Sequence, residues 1–483
     1  MSMLAEPTTV TDPAGPTGRL ATWVADLTFD DVPIAVTERA KHLLLDGLGC
    51  GLIGAQLPWS RVATQAVLDL EGTGDTVVIG TGQVTGAPAA AVLNGTFIQS
   101  FELDDFHPVA PLHSCSLLIP ALLSTVSTRP VATTGADLLL AAIAGFEVGP
   151  RVGYTLHGTQ MLDRGWHSGS VFGTHAAAMA SGKLRELTPG QLEDALGLAG
   201  TQSSGLMAAQ FEAMSKRMHH GLAARNGFYA AGLAAAGYTG IKRVFEREYG
   251  GFLSVFGEGH HPDATVLTAQ LGEHWETAII MVKSYAAMGG LHGAVDAARQ
   301  LRECVAHEEI STIDITVGET VYKHGWWPPE RPLTPIGAQM NIAYATAAAL
   351  LDGNVLPEQF TPERLDADDI WSLIGKTAVH LDDSLTDAPI TDKFRTDVTV
   401  TTADDAEHHV RVDRPHGAPD DPVTNDEIVA KFHALADRVT SRQRAVAIEQ
   451  AVVGLDTLDD VGNLIDLLAA PVTGALDGKP QSS

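Results

Sequence analysis

Cysteine, aromatic side chains, basic residues and long apolar runs are all scarce in this chain of 483 residues, and each scarcity excludes something. The 3 cysteines, Cys50, Cys115 and Cys304, stand far apart. They show no metal or redox spacing, and that usage suits a reducing, cytoplasmic setting. Lys and Arg number 31 against 59 Asp and Glu, a formal charge of −28. A chain so acidic repels phosphate backbones, which argues against nucleic-acid and anionic-membrane partners. Apolar runs such as Leu138 to Phe146 fall short of the ~18 residues that suggest a membrane span. No His-Glu-x-x-His or comparable ligand pair announces a metal. Residues 1–20, rich in Pro and Thr, carry Glu6 and Asp12 and no apolar core. They read as a flexible tail and not as a secretory signal, and Gly478 to Ser483 reads as a loose end.

What is present points to a folded protein with more than one core. Hydrophobic residues make up 45% and charged residues 19%, and single cores stop growing at roughly 250–300 residues, so two domains are expected. The first half reads as helix after helix. Asp30-Asp31-Val32-Pro33 starts one, with Ala40, Leu43, Leu44 and Leu48 following. Thr188-Pro189-Gly190-Gln191 is a capping box, and Ala87 to Phe101, Ala136 to Phe146, His175 to Leu184 and Gly221 to Ala236 are helical by composition. After about residue 275 the pattern changes. Ile310 to Val317 alternates like a half-buried strand, and Phe394 to Thr401 with His408 to Val412 reads as a hairpin. Helices are expected between them at Ile336 to Leu351 and Asp368 to His380, and again at Asp426 to Asp437, Ser441 to Val453 and Asp459 to Leu468. The fold class is therefore mainly α. A large all-helical domain is expected from 1–278 and 415–483, with a smaller α+β domain over 279–414.

Several segments carry candidate chemistry. Glu102-Leu103-Asp104-Asp105-Phe106-His107, with His113 six residues on, puts three carboxylates and two imidazoles after an apolar helix. A solvated helix end is the plain reading, and a carboxylate–imidazole metal site is a sharper rival. Gly165-Trp166-His167-Ser168-Gly169-Ser170 places a His at a helix entry, where it reads either as a hydrogen-bonded core residue or as a donor to an anion. Lys216-Arg217-Met218-His219-His220-Gly221 is a rare basic cluster. Adjacent helical residues diverge by about 100°, so one of its two histidines at most is expected to face a pocket. Lys283 lies inside an apolar run and needs a carboxylate partner. Tyr344, in a later helix, reads as a core aromatic when taken alone. Trp326-Trp327 beside Pro328-Pro329 is expected to narrow a pocket mouth. Thr76 to Gly86 tempts a dinucleotide reading, but its Gly-x-Gly-x-x-x-Gly spacing and lack of a βαβ setting favour a hairpin turning into a helix.

Taken together these stretches resemble the MmgE/PrpD family, which includes 2-methylcitrate dehydratases and cis-aconitate decarboxylases. The resemblance runs from Glu38-Arg39-Ala40-Lys41 to Leu455-Asp456-Thr457-Leu458. It is carried by Glu102-Leu103-Asp104-Asp105, Ala110-Pro111-Leu112-His113-Ser114, Gly165-Trp166-His167, Lys216-Arg217, Ala223-Ala224-Arg225-Asn226-Gly227, Tyr249-Gly250-Gly251-Phe252-Leu253 and Pro329-Glu330-Arg331-Pro332. Within the family the pattern is most similar to the fungal-type cis-aconitate decarboxylases.

The resemblance implies a homodimer in which a smaller lid closes on a helical body. It assigns catalytic roles to His113, His167, Lys216, Lys283, Tyr344 and Asp104, and substrate contacts to Glu102, Asp105, His107 and His220. Glu102 and Asp104 remain alternatives for the acidic group. Decarboxylation of a small tricarboxylate, with neither metal nor organic cofactor, is the activity implied. A hydro-lyase acting on 2-methylcitrate is the alternative, and a non-catalytic anion-binding protein a third reading.

Overall fold

A computed structural model describes residues 8–476 except 387, 389–391, 393 and 419; the loose end expected at Gly478 to Ser483 lies outside these. The stretch expected to be a tail is already helical in α1 (Pro16–Asp26), because Leu20, Ala21 and Val24 recur on one face and are fully buried. α2 (Ile34–Gly54) follows Pro33 and buries Leu43, Leu45, Leu48, Leu52 and Ile53 around its whole circumference. A helix that is apolar all round belongs in an interior, and α2 is the central post of the helical body. α3 (Pro58–Leu70) leads to the glycine-rich segment, which forms an antiparallel hairpin of β1 (Thr76–Val78) and β2 (Gln83–Thr85). Gly80 and Gly82 adopt φ of 65° and 74°, and their N–H groups donate to the Leu468 and Ala469 carbonyls at 2.8 and 2.9 Å. The donors a phosphate would need are spent on the chain itself.

The helices that build the site follow: α4 (Ala87–Ile98), α5 (Cys115–Thr128), α6 (Gly135–Thr155), the short α7 (Gln160–Asp163), α8 (Ser168–Leu184), α9 (Pro189–Gly200), α10 (Ser215–Ala235) and α11 (Phe252–Phe256). α9 opens on its expected capping box, with Thr188 and Gln191 exchanging side-chain to backbone bonds at 3.0 and 3.3 Å. α4 and α10 approach so closely that a Cβ on Gly221 would lie 2.1 Å from the Val92 carbonyl oxygen. Only glycine permits that approach, and it brings the start of α10 beside the end of α4.

Past residue 285 come α12 (His292–Arg302), β3 (Ile310–Val317), α13 (Glu319–Gly325), α14 (Pro335–Gln339), α15 (Ile342–Asp352), α16 (Pro362–Leu365), α17 (Asp368–Ile374), β4 (Thr377–Leu381), β5 (Thr396–Thr402) and β6 (Glu407–Val412). The sheet order is β4-β3-β5-β6, with β4 parallel to β3 and the remaining pairs antiparallel. Two expectations need correction. The helix expected over Asp368 to His380 stops at Ile374, and its last residues form β4, where Val379 pairs with Ile315. The β-branched Thr377 and Val379 suit a strand, but the partner strand is too distant in sequence to be read locally. The helix expected over Ile336 to Leu351 is broken at Met340–Asn341, because the Asn341 side chain accepts the N–H groups of Ala343 and Tyr344 (3.1 and 3.2 Å) and caps a new helix.

The chain closes with α18 (Asn425–Val439), α19 (Arg442–Val453) and α20 (Gly462–Ala469), and α18 packs back on α2. The molecule is thus mainly α with a smaller α+β part. Among the described residues no helix is long and apolar enough to cross a membrane.

Candidate active site

The site begins where α4 ends. After one 3-10 turn the chain passes Glu102 in the left-handed region (φ 53°, ψ 33°), a conformation that costs a non-glycine residue free energy and needs outside support. Support arrives from four directions. Gln339 Nε2 donates to the Phe101 carbonyl (2.9 Å), and Lys431 Nζ, on α18, donates to the Leu103 carbonyl (2.5 Å). Phe106 and Met281 exchange two backbone bonds of 2.9 Å. The Asp105 carboxylate accepts the N–H groups of Ser114 and Cys115 (2.8 and 2.9 Å), capping α5. The acidic loop is therefore a rigid part of the fold and not a solvated helix end.

Held this way, the Glu102 carboxylate is buried between two ammonium groups. Lys216 donates to Oε1 and Lys283 to Oε2 (2.8 Å), while Arg217 Nη1 stands 3.7 Å from Oε1. Burial pushes the carboxyl up, but Lys216, Lys283, His113 and Arg217 outweigh it and hold Glu102 well below the usual carboxylate range. Burial pulls the Lys216 ammonium down, and it pulls the Arg217 guanidinium down to about 10. Arg217 is fixed further by Gln339 and by the Trp59 ring, 5.4 Å from its Cζ. Two ammonium groups and a guanidinium thus gather on one carboxylate, a local excess of positive charge in a strongly acidic protein.

Beside this cradle lie four imidazoles. His113 Nδ1 is 3.2 Å from Asp104 Oδ1, within ion-pair distance although not aligned for a hydrogen bond. The His220 ring sits 5.0 Å from that of His113 and 5.1 Å from that of His167, and His219 packs on His167 at 4.5 Å. His167 precedes α8, with Nδ1 3.5 Å from the Ser170 hydroxyl. Burial pulls His167 well below its ordinary value, and His219, Lys216 and His113 pull it further. It is therefore neutral near pH 7. Among the described residues no group of three or more His, Cys, Asp or Glu is arranged to hold a metal ion.

One cavity gathers most of the expected residues. Glu102, His107, His113, His167, Lys216 and Lys283 all line it, and it holds about 820 Å³ of empty space up to and including its mouth. Its other walls are largely apolar, with Phe106, Leu162, Met207, Met288, Val321 and Met340. Asp104 and His220 lie just behind the lining, in contact with His113.

Three expected roles do not match their placement. Asp105 is spent on the α5 cap, and burial followed by its neighbour Asp104 raises it to about 6. His107 reaches the cavity wall, but Nδ1 accepts the Ala110 N–H (3.0 Å) and Nε2 meets Glu276 Oε2 (3.2 Å), so neither nitrogen is free for a ligand. Tyr344 donates its hydroxyl to the Gln359 carbonyl, packs against Phe360 (5.8 Å) and lies outside the lining. Trp327, expected at the mouth, stacks on Phe211 at 5.4 Å instead. Two residues were missed. Arg217 adjoins Lys216 in the basic cluster, but nothing in the sequence singles it out as a partner of Glu102. His324 lines the cavity from α13, and nothing in Tyr322-Lys323-His324-Gly325 signals it.

A mainly helical body with a small α+β part, and a cationic cavity to which both contribute, define an enzyme class that sequence comparison identifies. The MmgE/PrpD N-terminal domain profile matches residues 18–265 and the C-terminal domain profile residues 285–457, so the chain belongs to the MmgE/PrpD family. It is 45% identical to a cis-aconitate decarboxylase-like protein (oryM) of Aspergillus oryzae, over 95% of this chain and 99% of the relative. It is 40% identical to a cis-aconitate decarboxylase of Aspergillus terreus, over 96% of this chain and 98% of that one. The Homo sapiens cis-aconitate decarboxylase is 26% identical, over 94% of this chain and 95% of its own.

Proposed function

We propose that this chain is a carboxy-lyase converting cis-aconitate to itaconate and CO₂ by a route that needs no cofactor. The observation that carries the reading is the convergence of Lys216, Lys283 and Arg217 on the Glu102 carboxylate in an otherwise apolar cavity, beside His113. Cis-aconitate carries three carboxylates around one C=C bond, and the one on its CH₂ group is allylic. When that C–C bond breaks, its electron pair becomes the new terminal double bond. The old alkene pair takes a proton on the far carbon. One proton is consumed for each CO₂ released, and the alkene itself serves as the electron sink.

The lysines hold retained carboxylates with Arg217 adding positive charge behind them, and Glu102 keeps the lysines in place between turnovers. The departing carboxylate faces apolar wall, where loss of charge is favoured over a poorly solvated ground state. His113 is the proton donor. Asp104 Oδ1 stands 3.2 Å from its Nδ1 and orients the ring, whereas His167 is held neutral and serves in positioning. A proton transfer of this kind is worth roughly 10²–10⁴-fold. Purified protein given cis-aconitate should release CO₂ and itaconate, and His113→Ala should lower kcat by about that factor without altering the melting temperature. Water loss from 2-methylcitrate with no CO₂ from either aconitate isomer would establish the hydro-lyase instead.

The same reading makes the protein a homodimer. Support comes from large apolar side chains left exposed on α10 and the segments flanking it: Met214 (61%), Tyr229, Leu233, Tyr238 (63%) and Tyr249 (99%). Large apolar side chains left exposed together are what an interface between two copies would cover.

A further inference from the structure

His324 is a titratable group that the chemistry above does not use. It lies in the last turn of α13 and is nearly buried, at 8% exposure. α13 is fixed over the Gly289–Gly290 turn: a Cβ on Gly325 would meet Leu291 Cδ2 at 2.6 Å, and one on Gly290 would meet Val321 Cγ2 at 2.9 Å. That turn, Val321 and His324 all line the cavity that holds Lys216 and Lys283. His324 Nε2 meets Asp163 Oδ1 at 3.3 Å, and Asp163 closes α7, whose Leu162 also lines the cavity. The other ring nitrogen, Nδ1, is buried with no hydrogen-bond partner among the described residues.

We propose that His324 is a substrate-contacting residue that donates Nδ1–H to a retained carboxylate from the α13 side, while Asp163 is the positioning residue that fixes its ring. Two features carry this. A buried imidazole nitrogen without a partner is unfavourable unless something supplies one. The Asp163 carboxylate at Nε2 also fixes the ring, so that Nδ1 is the nitrogen left for a ligand. The retained carboxylates are then divided between the Lys216–Lys283–Arg217 cradle and His324. A ligand holding both draws α13 and α7 together at the seam. The inference rests on the reading that the cavity takes a tricarboxylate, since a smaller anion would be satisfied by the cradle alone.

The test uses the full chain and three readings: steady-state kinetics with cis-aconitate, calorimetric binding of tricarballylate, an unreactive tricarboxylate, and the melting temperature. A lost charge-assisted hydrogen bond corresponds to about 10- to 100-fold in affinity. His324→Ala and His324→Gln should each weaken tricarballylate binding and raise KM by about that range, with a much smaller change in kcat. Asp163→Asn should give a smaller effect of the same kind, and Asp163→Glu should restore it. Proton uptake on binding, read from the dependence of the enthalpy on buffer ionisation, should fall in His324→Gln relative to the unaltered protein. Unchanged affinity in both His324 variants overturns the proposal. So does a pattern in which kcat and melting temperature fall while proton uptake stays the same, because that describes a structural latch. If the unaltered protein binds tricarballylate but forms no itaconate, the proposed reaction fails while the calorimetry still decides the role of His324.

Discussion

Glu102 is the residue on which the site turns. Its backbone sits in the left-handed region, its side chain is 2% exposed, and both its oxygens are occupied by lysines. Removing one member of a buried ion cluster leaves the remaining charges uncompensated, at about 3–5 kcal/mol. Glu102→Gln should therefore lose about that much stability at neutral pH, measured by urea unfolding. The sign of the pH dependence follows from its depressed carboxyl. Between the folded value and the unfolded value of about 4.3 the unfolded chain binds the proton that the native state refuses. The contribution is whole above that unfolded value and is lost as pH falls through the folded one. The variant should lack this acid-side loss, and an added tricarboxylate should raise its melting temperature more than that of the unaltered protein. Identical unfolding curves for the two proteins would refute the assignment.

At the scale of elements, α10 delivers most of the site. Lys216 and Arg217 face Glu102, His219 and His220 face His167, and Gly221 lets the helix touch α4. The atoms that crowd a Cβ at Gly221 are backbone atoms of α4, which cannot swing aside. Gly221→Ala should cost about 1–3 kcal/mol by overpacking and lower kcat, because it pushes the lysine-bearing end of α10 away from the acidic loop. Gly232, on the same helix, has nothing within 4 Å of where a Cβ would stand. Gly232→Ala should instead stabilise the protein by about 0.5–1 kcal/mol and leave turnover unchanged. Chemical denaturation of the two variants side by side separates a close-contact role for glycine from simple helix propensity.

At the scale of the whole molecule, the last helices and the proposed second copy both bear on the site. Lys431 on α18 pairs with Asp46 of α2 at 2.7 Å and also holds the Leu103 carbonyl, so a C-terminal helix braces a loop more than 300 residues earlier. Tyr229 and Leu233 are exposed on α10, and Met214, Tyr238 and Tyr249 on the segments flanking it. Sedimentation velocity should give about twice the 50.9 kDa of one chain, and Leu233→Glu with Tyr238→Glu should give one chain with its helical circular dichroism intact. A single-chain species for the unaltered protein at micromolar concentration would remove the dimer.

The amino-acid sequence by itself determined what depends on near neighbours. The Thr188 capping box, the alternation of β3 and β5, and the glycine hairpin after Thr76 all rest on groups a few residues apart. The concentration of acid and imidazole at 102–113 and the lone Lys283 were equally visible there. Tertiary structure alone decided which of those groups are free to act. Lys283 finds Glu102 across 181 residues of chain, and Gln339 finds Phe101 across 238. It spent Asp105 and His107 on internal bonds, turned Tyr344 away, paired β4 with β3, and brought His324 to the wall. The physical reason is that a side chain's role is set by which partners saturate its donors and acceptors, and here those partners arrive through packing between distant elements.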